Sequence, residues 1–230
     1  MSQSPARKGL EGGLERVDVH VGHFPGLAGR AQRAPPIAYP LATARALCYK
    51  TSMQLFVIDE SQMAACVDAE IRDALCRCFP ADAAAFRATR AWHGSMAAFS
   101  ILLRDGNRLV GHAGVVDRTI RAGSRPLRAA GVQNVLVLPE CRGHGYSSLI
   151  LDAAMAEALR REFDVGVLFC RPALELIYVR CGWQALGYRD LLVGSGAEES
   201  PAPAGNVSMF YPLDVSVFPD GPIHLCGNDW

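Results

Sequence analysis

The residues best suited to chemistry in this 230-residue chain lie in a glycine-rich turn near its middle. The segment 135–148 runs from an apolar predicted strand through Arg142, Gly143 and Gly145 into a predicted helix. Glycines let main-chain N–H groups approach an anion closely, and the start of a helix adds the positive end of its dipole. The turn therefore predicts a cradle for a phosphate or pyrophosphate group. An ordinary strand-to-helix connection has the same local pattern, so the flanking sequence must decide between the two interpretations.

Three histidines are candidates for removing a proton near neutral pH, the range in which imidazole exchanges protons. His144 lies within the glycine-rich turn and is expected to face the anion, whereas His112 follows Gly111 in a predicted strand, where a core role is favoured. His224, close to the C-terminus, is the better candidate for a catalytic base. The sequence has no Ser/His/Asp order, P-loop lysine or HExxH motif, which argues against acyl-serine hydrolysis, nucleotide hydrolysis and zinc proteolysis.

Composition narrows the class of protein. Basic residues (Lys and Arg) and acidic residues (Asp and Glu) number 23 each, so no global field favours nucleic acid or an anionic membrane. No apolar run approaches the roughly 20 residues that span a bilayer, and the N-terminus lacks a signal-peptide hydrophobic region. We therefore expect a cytoplasmic protein with no nucleic-acid or membrane partner. The cysteines lack metal-ligand spacing, since Cys76 and Cys78 are separated by a single residue, so no metal site is expected.

The elements that position these residues follow a segment rich in Gly, Pro, Arg and Ala. Residues 1–52 are expected to form a poorly ordered extension, and residues 53–230 a single domain. Apolar patterns in that domain predict a mixed α/β order, with Asp105-Gly106-Asn107 as a hairpin turn. The predicted strands are 53–58, 97–104, 108–116, 127–137, 165–169, 183–192 and 207–212, and the predicted helices are 61–79, 145–161 and one from Pro172 to about residue 181.

Two separated motifs in this order resemble the GNAT superfamily of acetyl-CoA-dependent N-acetyltransferases. One is Arg142-x-x-Gly145-x-Ser147, and the other is Tyr178-x-x-x-Gly182-Trp183. The resemblance implies the GNAT fold, an α/β (α+β) architecture with a mixed, mostly antiparallel sheet of about six to seven strands and about four helices. It also implies acetyl-CoA as the cosubstrate. Its pyrophosphate would be held by Arg142, Gly143, His144, Gly145, Tyr146 and Ser147, where Ser147 replaces the small Gly or Ala of the family.

The same resemblance implies further roles along the donor path. Val135, Leu136 and Val137 would offer free main-chain groups to the pantetheine arm, because family members open the central sheet there. Tyr178, one helical turn before Gly182-Trp183, would protonate or hydrogen-bond the leaving thiolate, since a phenol has an ordinary pKa of about 10. The competing interpretation is a core tyrosine on an apolar helix. Gln133 lies where the aminoglycoside branch has a glutamate that reaches the amine through water. Since glutamine cannot act as a general base, a water chain would have to substitute.

Finer likeness points to amino-sugar acceptors. Aminoglycoside 2′-N-acetyltransferases resemble the chain in its Gly182-Trp183 pair, its Pro212-Leu-Asp segment and its terminal tryptophan, whereas nodulation-factor N-acyltransferases resemble 171–174 and 217–219. Asp229 and the Trp230 carboxylate could hold an amine by charge-assisted hydrogen bonds, unless the C-terminus is frayed.

We therefore expect an N-acetyltransferase that acts on a small-molecule primary amine. The alternatives are an N-acyltransferase with a longer donor, as in the nodulation-factor enzymes, and a non-catalytic acyl-CoA-binding module. Apolar strands near the C-terminus are common interface material, which makes a homodimer a further expectation.

Overall fold

The computed structural model describes residues 15–16, 53–187, 190–202 and 204–230. The predicted extension over residues 1–52 lies outside these ranges apart from one two-residue strand. The strands are β1 (Glu15–Arg16), β2 (Met53–Asp59), β3 (Phe99–Asp105), β4 (Arg108–Ala122), β5 (Arg125–Val137), β6 (Val165–Cys170), β7 (Gln184–Ala185), β8 (Leu191–Val193), β9 (Ser200–Pro201), β10 (Val207–Pro212) and β11 (Ile223–His224). The helices are α1 (Ala65–Cys78), α2 (Ala83–Ala88), α3 (Tyr146–Arg160) and α4 (Glu175–Val179). Within these ranges no helix is long and apolar enough to cross a bilayer.

The strands form one sheet in the order β1-β2-β3-β4-β5-β6-β10-β7, with β11 pairing with β4 and β8, and β9 pairing with β8. Neighbours are antiparallel except β5 with β6 and β8 with β11. β5 and β6 are parallel because α3 crosses over between them, whereas a tight turn joins only antiparallel strands. Of the strands in the described ranges, seven have three or more residues. The predicted mixed, mostly antiparallel sheet with four helices is therefore confirmed.

The sheet is packed on both faces. Side chains of a strand alternate between faces, and on β3 both Ile101 and Leu103 belong to the core that contains α3. Leu102, which lies between them, packs instead with Ile71 and Leu75 of α1. α3 and α1 therefore lie on opposite faces of the sheet.

A separate core packs the end of the chain against the sheet. Ala129 of β5 and Val167 of β6 pack with Trp230, the C-terminal residue. Ala130 and Val132 of β5 belong instead to the core that contains α3. The C-terminal segment therefore lies on the face opposite α3.

Several element boundaries differ from the sequence prediction. The first helix begins at Ala65 rather than near residue 61, because Glu60–Gln62 form a separate 3-10 turn. The predicted strand 183–192 is interrupted: among its described residues, Gln184–Ala185 form one short strand, and a second, Leu191–Val193, begins near its end.

The hairpin of β4 and β5 is longer than the sequence pattern predicts. β4 continues beyond Val116 to Ala122, since Ile120 and Ala122 stay buried while Arg121 between them is exposed. This alternation is typical of a strand with one solvated face. The extension brings the far end of the hairpin into contact with β11.

Candidate active site

β5 and β6 separate partway along their length. Their parallel pairing covers only Ala129–Gly131 against Val165–Val167. Beyond it, β5 continues to Val137 paired with β4, and β6 continues to Cys170 paired with β10. We call the space between the diverging strands the fork, and Gly131 and Val167 its apex. Strands that no longer pair present main-chain groups available for hydrogen bonds, and Val135–Val137 lie on the part of β5 beyond its pairing with β6.

A bulge in β5 accompanies the separation. The register of β4 against β5 shifts between His112 and Gly114, and Asn134 has a φ of 54°. A bulge increases the local twist and bends its strand. Nδ1 of His112 lies 3.1 Å from the Asn134 carbonyl oxygen and Nε2 lies 3.2 Å from the Ser100 hydroxyl. Burial lowers the pKa of His112 to about 3, so it is a neutral core residue, in agreement with the core role that the sequence favours.

The C-terminal tryptophan closes the apex of the fork. Trp230 is 4% exposed, and its indole N–H donates to the Val167 carbonyl at 3.2 Å. A Cβ at Gly131 would lie 2.4 Å from the Trp230 ring, so glycine is needed for this close approach. The ring also contacts Phe169, with 5.4 Å between centroids, and the Arg118 guanidinium, 5.2 Å from its centroid. The described C-terminus is therefore packed and hydrogen-bonded rather than frayed.

The open end of the fork leads to the predicted cradle. Gly143 and Gly145 have φ values of 81° and 77°, and a Cβ on either would meet no atom within 4 Å. Their glycine requirement is therefore one of backbone conformation, not of space. Gly145 is the N-cap of α3 and no side chain caps this end, so the helix presents its first-turn N–H groups there.

Side chains of the cradle fix its shape. Nε of Arg142 donates to the Val137 carbonyl at 3.0 Å, which ties the cradle to the end of β5. Nδ1 of His144 donates to the Arg142 carbonyl at 2.9 Å, and its ring stacks on that of Tyr146, with centroids 5.6 Å apart. Because the Tyr146 side chain is buried, this residue would contact an anion through its main-chain atoms. Ser147 follows it in the first turn of α3.

The charge around the cradle suits an anion. Glu140 is the single acid in the segment 135–148, and it pairs with Arg77 at 3.0 Å and with Arg108. A backbone hydrogen bond, followed by the Arg77 contact, lowers the pKa of Glu140. Because two arginines neutralise this carboxylate, Arg142 leaves the turn positive.

Tyr178 lies on α4, beside the cradle. The Sγ of Cys181 donates to Oγ of Ser148 at 3.2 Å, which links the turn after α4 to the first turn of α3. Burial, with smaller contributions from the nearby thiols of Cys170 and Cys181, raises the pKa of Tyr178 to about 12. The phenol is therefore fully protonated at neutral pH. Tyr178 also packs against the core that contains α3, which places it on the face opposite Trp230.

Gln133 supports a turn between α2 and β3. The residue is 4% exposed. Its Nε2 donates to the Ser95 carbonyl at 2.9 Å, and its Oε1 accepts from the Trp92 N–H at 3.2 Å. Both amide atoms are thus engaged by the main chain, so Gln133 acts on the site by positioning this turn.

His224 lies far from the fork. It belongs to β11, where it pairs in register with Arg121, and its Nδ1 lies 2.9 Å from a carboxylate oxygen of Glu199. Arg121 pairs with Pro126 of β5, which is five positions before Gly131, or about 17 Å along the strand. The structure therefore does not bring His224 together with the other predicted site residues.

The structure adds one residue that the sequence motifs do not identify. Trp92 and Ser95 bridge across a tight turn whose central residues, His93 and Gly94, have φ values of 45° and 83°. Nδ1 of His93 pairs with the Asp229 carboxylate, so Asp229, predicted to hold an amine, is engaged by an imidazole. A two-residue turn of this kind favours Asn-Gly or Asp-Gly, and a histidine followed by glycine was a weak signal for it.

No group of three or more metal-ligating side chains occurs in the part of the chain that the structure describes.

Comparison with solved structures identifies the class of fold. An Escherichia coli GNAT family N-acetyltransferase (YhbS), solved in complex with CoA, is 14% identical with a TM-score of 0.54, covering 77% of this chain and 92% of that chain. Escherichia coli ElaA is 12% identical with a TM-score of 0.51, covering 69% of this chain and 99% of its own. An acyl-CoA N-acyltransferase from Pseudomonas aeruginosa is 12% identical with a TM-score of 0.50, covering 70% and 99%. At these identities the likeness establishes the fold.

The family follows from the sequence itself. The family described as the acetyltransferase (GNAT) domain matches residues 69–186, about half of the chain. The chain belongs to this GNAT acetyltransferase family. It is also 26% identical over 92 residues to an aminoglycoside 2′-N-acetyltransferase of Mycolicibacterium fortuitum, a match covering 40% of this chain and 47% of that relative. The matched region thus spans about half the length of that curated relative.

A double-mutant cycle tests the closure of the apex. Gly131→Ala is expected to destabilise the protein by about 1–3 kcal/mol, because the new methyl group meets the Trp230 ring. In a Trp230→Ala background, the same change should cost less than about 0.5 kcal/mol. Urea unfolding of the four proteins measures both values.

Gly114→Ala is the matched control for the cycle. Its Cβ would lie 3.4 Å or more from its neighbours, an ordinary contact, so its effect should add to that of Trp230→Ala. Equal costs of Gly131→Ala in both backgrounds would show that the indole does not occupy the apex.

Proposed function

We propose that the chain is an acetyl-CoA-dependent N-acetyltransferase that acylates a primary amine by direct attack in a ternary complex. The observation that carries the proposal is the continuity of the fork with the cradle at the end of β5. Family membership supports the reaction class, and the fold neighbour solved with CoA supports this donor.

The residues present fit such a donor. The cradle, Arg142 to Ser147, would hold the pyrophosphate by main-chain N–H groups and the helix dipole. Val135–Val137 would hydrogen-bond the pantetheine arm along the unpaired edge of β5. From Val137 to Gly131 the strand spans about 20 Å, so an extended arm that enters at the cradle brings its thioester toward the apex.

The packing at the apex favours a short acyl group over the longer donor of the nodulation-factor enzymes. An acyl chain that points toward the apex meets Trp230 and Phe169, which are in contact with each other. Trp230 is buried and hydrogen-bonded, so room for a longer chain would require its displacement. Acetyl-CoA is therefore the preferred donor.

Tyr178 would assist the leaving group. When the amine nitrogen attacks the thioester carbon, the C–S bond breaks and its electron pair stays on sulfur. An ordinary thiol has a pKa of about 8.5, well below the value of about 12 to which burial raises the pKa of Tyr178. Tyr178 would therefore stabilise the thiolate mainly by donating a hydrogen bond, and solvent would supply the final proton.

Amino sugars, including aminoglycosides, are the acceptor class that we propose first. The relative from Mycolicibacterium fortuitum is an aminoglycoside 2′-N-acetyltransferase, and Asp229, which pairs with His93, precedes Trp230 on the face opposite α3. The seven cysteines in the described ranges are free thiols, in keeping with action in the cytoplasm.

Mass spectrometry tests the proposed function directly. The purified protein is incubated with acetyl-CoA and a panel of amino sugars, aminoglycosides, polyamines and peptide amines. An amine that gains one acetyl group is the expected result and identifies the acceptor class. If acetyl-CoA binds but every amine stays unmodified, while hexanoyl-CoA does yield product, the longer-donor alternative holds. If neither donor reacts, the chain is a binding module.

The cradle generates a prediction with a matched control. Gly145→Ala is expected to weaken acetyl-CoA binding by about tenfold or more, because alanine disfavours the left-handed backbone that aims the N–H groups. Gly106→Ala, in the β3–β4 turn, is the matched control, because Gly106 also has a positive φ (58°) and an equally open Cβ position. Both variants should lose about 1–2 kcal/mol of folding stability.

Calorimetric titration separates the two variants. The cradle assignment predicts that Gly106→Ala binds acetyl-CoA as tightly as the wild type. Equal affinities of the two variants would remove Gly145 from the donor site.

The role of Tyr178 is tested by removing one oxygen atom. Tyr178→Phe is expected to lower kcat about 100-fold, since the hydrogen bond to the departing thiolate is lost, while the Kd for acetyl-CoA stays unchanged. Tyr211→Phe is the control, because Tyr211 is also a half-buried phenol that contacts the Trp183 ring but lies on β10. Steady-state kinetics measure kcat for both variants, and calorimetry measures their Kd for acetyl-CoA. A Tyr178→Phe enzyme as fast as Tyr211→Phe would contradict the role.

A further inference from the structure

We propose that His93, oriented by Asp229, is the general base that removes the proton from the attacking amine. The proposal rests on the proposed function and identifies a base for it. Nδ1 of His93 pairs with the Asp229 carboxylate, so Nδ1 carries the proton of the neutral ring and Nε2 is left as the acceptor. The side chain of His93 is 51% exposed, which leaves it accessible to an acceptor molecule.

His93 lies at the tip of a tight two-residue turn. Ser95 N–H donates to the Trp92 carbonyl at 2.8 Å, closing a two-residue turn with positive φ at both His93 and Gly94, as type I′ geometry requires. A histidine in the left-handed region is uncommon, and such residues persist only where surrounding contacts hold them. The conformation thus has to be secured by the rest of the protein.

Those contacts come from β5 and from the C-terminal segment. Gln133 of β5 bonds both ends of the turn through its amide group. From the C-terminal segment, Nδ2 of Asn228 donates to the His93 carbonyl at 2.8 Å, and Ser95 Oγ donates to the Asp229 carbonyl at 2.8 Å. The turn is therefore anchored to β5 two residues beyond the apex and to the residue that precedes Trp230.

The location suits the acceptor side of the reaction. Gln133 and Gly131 share one face of β5 because side chains alternate, and Trp230 lies on that face. Tyr178 packs with Val132 in the core on the other face. The base and the group that stabilises the thiolate thus lie on opposite faces of the fork, as an amine entering from one side and a thiol leaving toward the other would require.

The chemistry balances with the groups present. An alkyl ammonium ion, which for lysine has an ordinary pKa of about 10.4, first loses one proton to solvent, and the neutral amine then attacks. As its nitrogen forms the amide bond and the C–S bond breaks, the nitrogen proton passes to Nε2 of His93. Asp229 stabilises the imidazolium that results. The exposed ring then returns the proton to solvent.

The test compares His93→Asn with His224→Asn, the same change at the other candidate base. Asn-Gly is the preferred pair at the centre of a type I′ turn, so His93→Asn keeps the fold while it removes the proton acceptor. We expect His93→Asn to lower kcat by about 100-fold or more with an unchanged Kd for acetyl-CoA, and His224→Asn to stay within about twofold of wild type. Thermal unfolding should find both variants folded.

Asp229→Asn tests the orienting role. It is expected to lower kcat by about tenfold or more. Nitrogen NMR of ¹⁵N-histidine protein should show the Nδ1-protonated tautomer of His93 in the wild type and a mixture in Asp229→Asn. Full activity of His93→Asn, a loss confined to His224→Asn, or an unchanged tautomer in Asp229→Asn each overturns the proposal. These outcomes are measured against a wild-type protein that acetylates an amine. They are therefore distinguishable from failure of the proposed function, in which the wild type itself acetylates no amine.

Discussion

The site depends on the point at which β5 and β6 stop pairing. Three residue pairs join the strands, and the last is Gly131 with Val167. The β5 bulge at Asn134 bends the strand beyond that point. At the apex, the Trp230 indole N–H donates to the Val167 carbonyl. A sheet that stayed fully paired would leave no unpaired edge for a ligand and no gap through which two substrates could meet.

The two faces of the sheet at the fork carry different chemical groups. On the face of α3, the cradle and Tyr178 are suited to an anionic donor and its leaving thiolate. The opposite face carries the C-terminal segment and the turn with His93, whose carboxylates and imidazole suit an amine. Gln133, an uncharged residue of β5, contributes by holding that turn in place. A proton acceptor supplied by the turn would explain how the site can do without an acid at this position of β5.

The sequence predicts the features that depend on local pattern. The glycine-rich turn, the β3–β4 turn and the mixed α/β order follow from glycine positions and apolar periodicity. The mixed, mostly antiparallel sheet and the fork were implied by the resemblance that the two motifs carry. His93 could not be predicted in the same way, because its significance arises from Asp229, 136 residues away. His224 was an attractive base from its position in the sequence, but the long β4–β5 hairpin carries its strand to the far end, where Glu199 pairs with it.

Hydrogen–deuterium exchange with and without acetyl-CoA tests the central claim, that the unpaired edge of the fork and the cradle together bind the donor. The account predicts slower exchange for the main-chain amides of residues 132–137 and 143–148 when acetyl-CoA is added. Residues 129–131, already paired with β6, should change little. Saturating acetyl-CoA that leaves residues 132–137 unprotected, or that protects a different edge of the sheet, would contradict the claim.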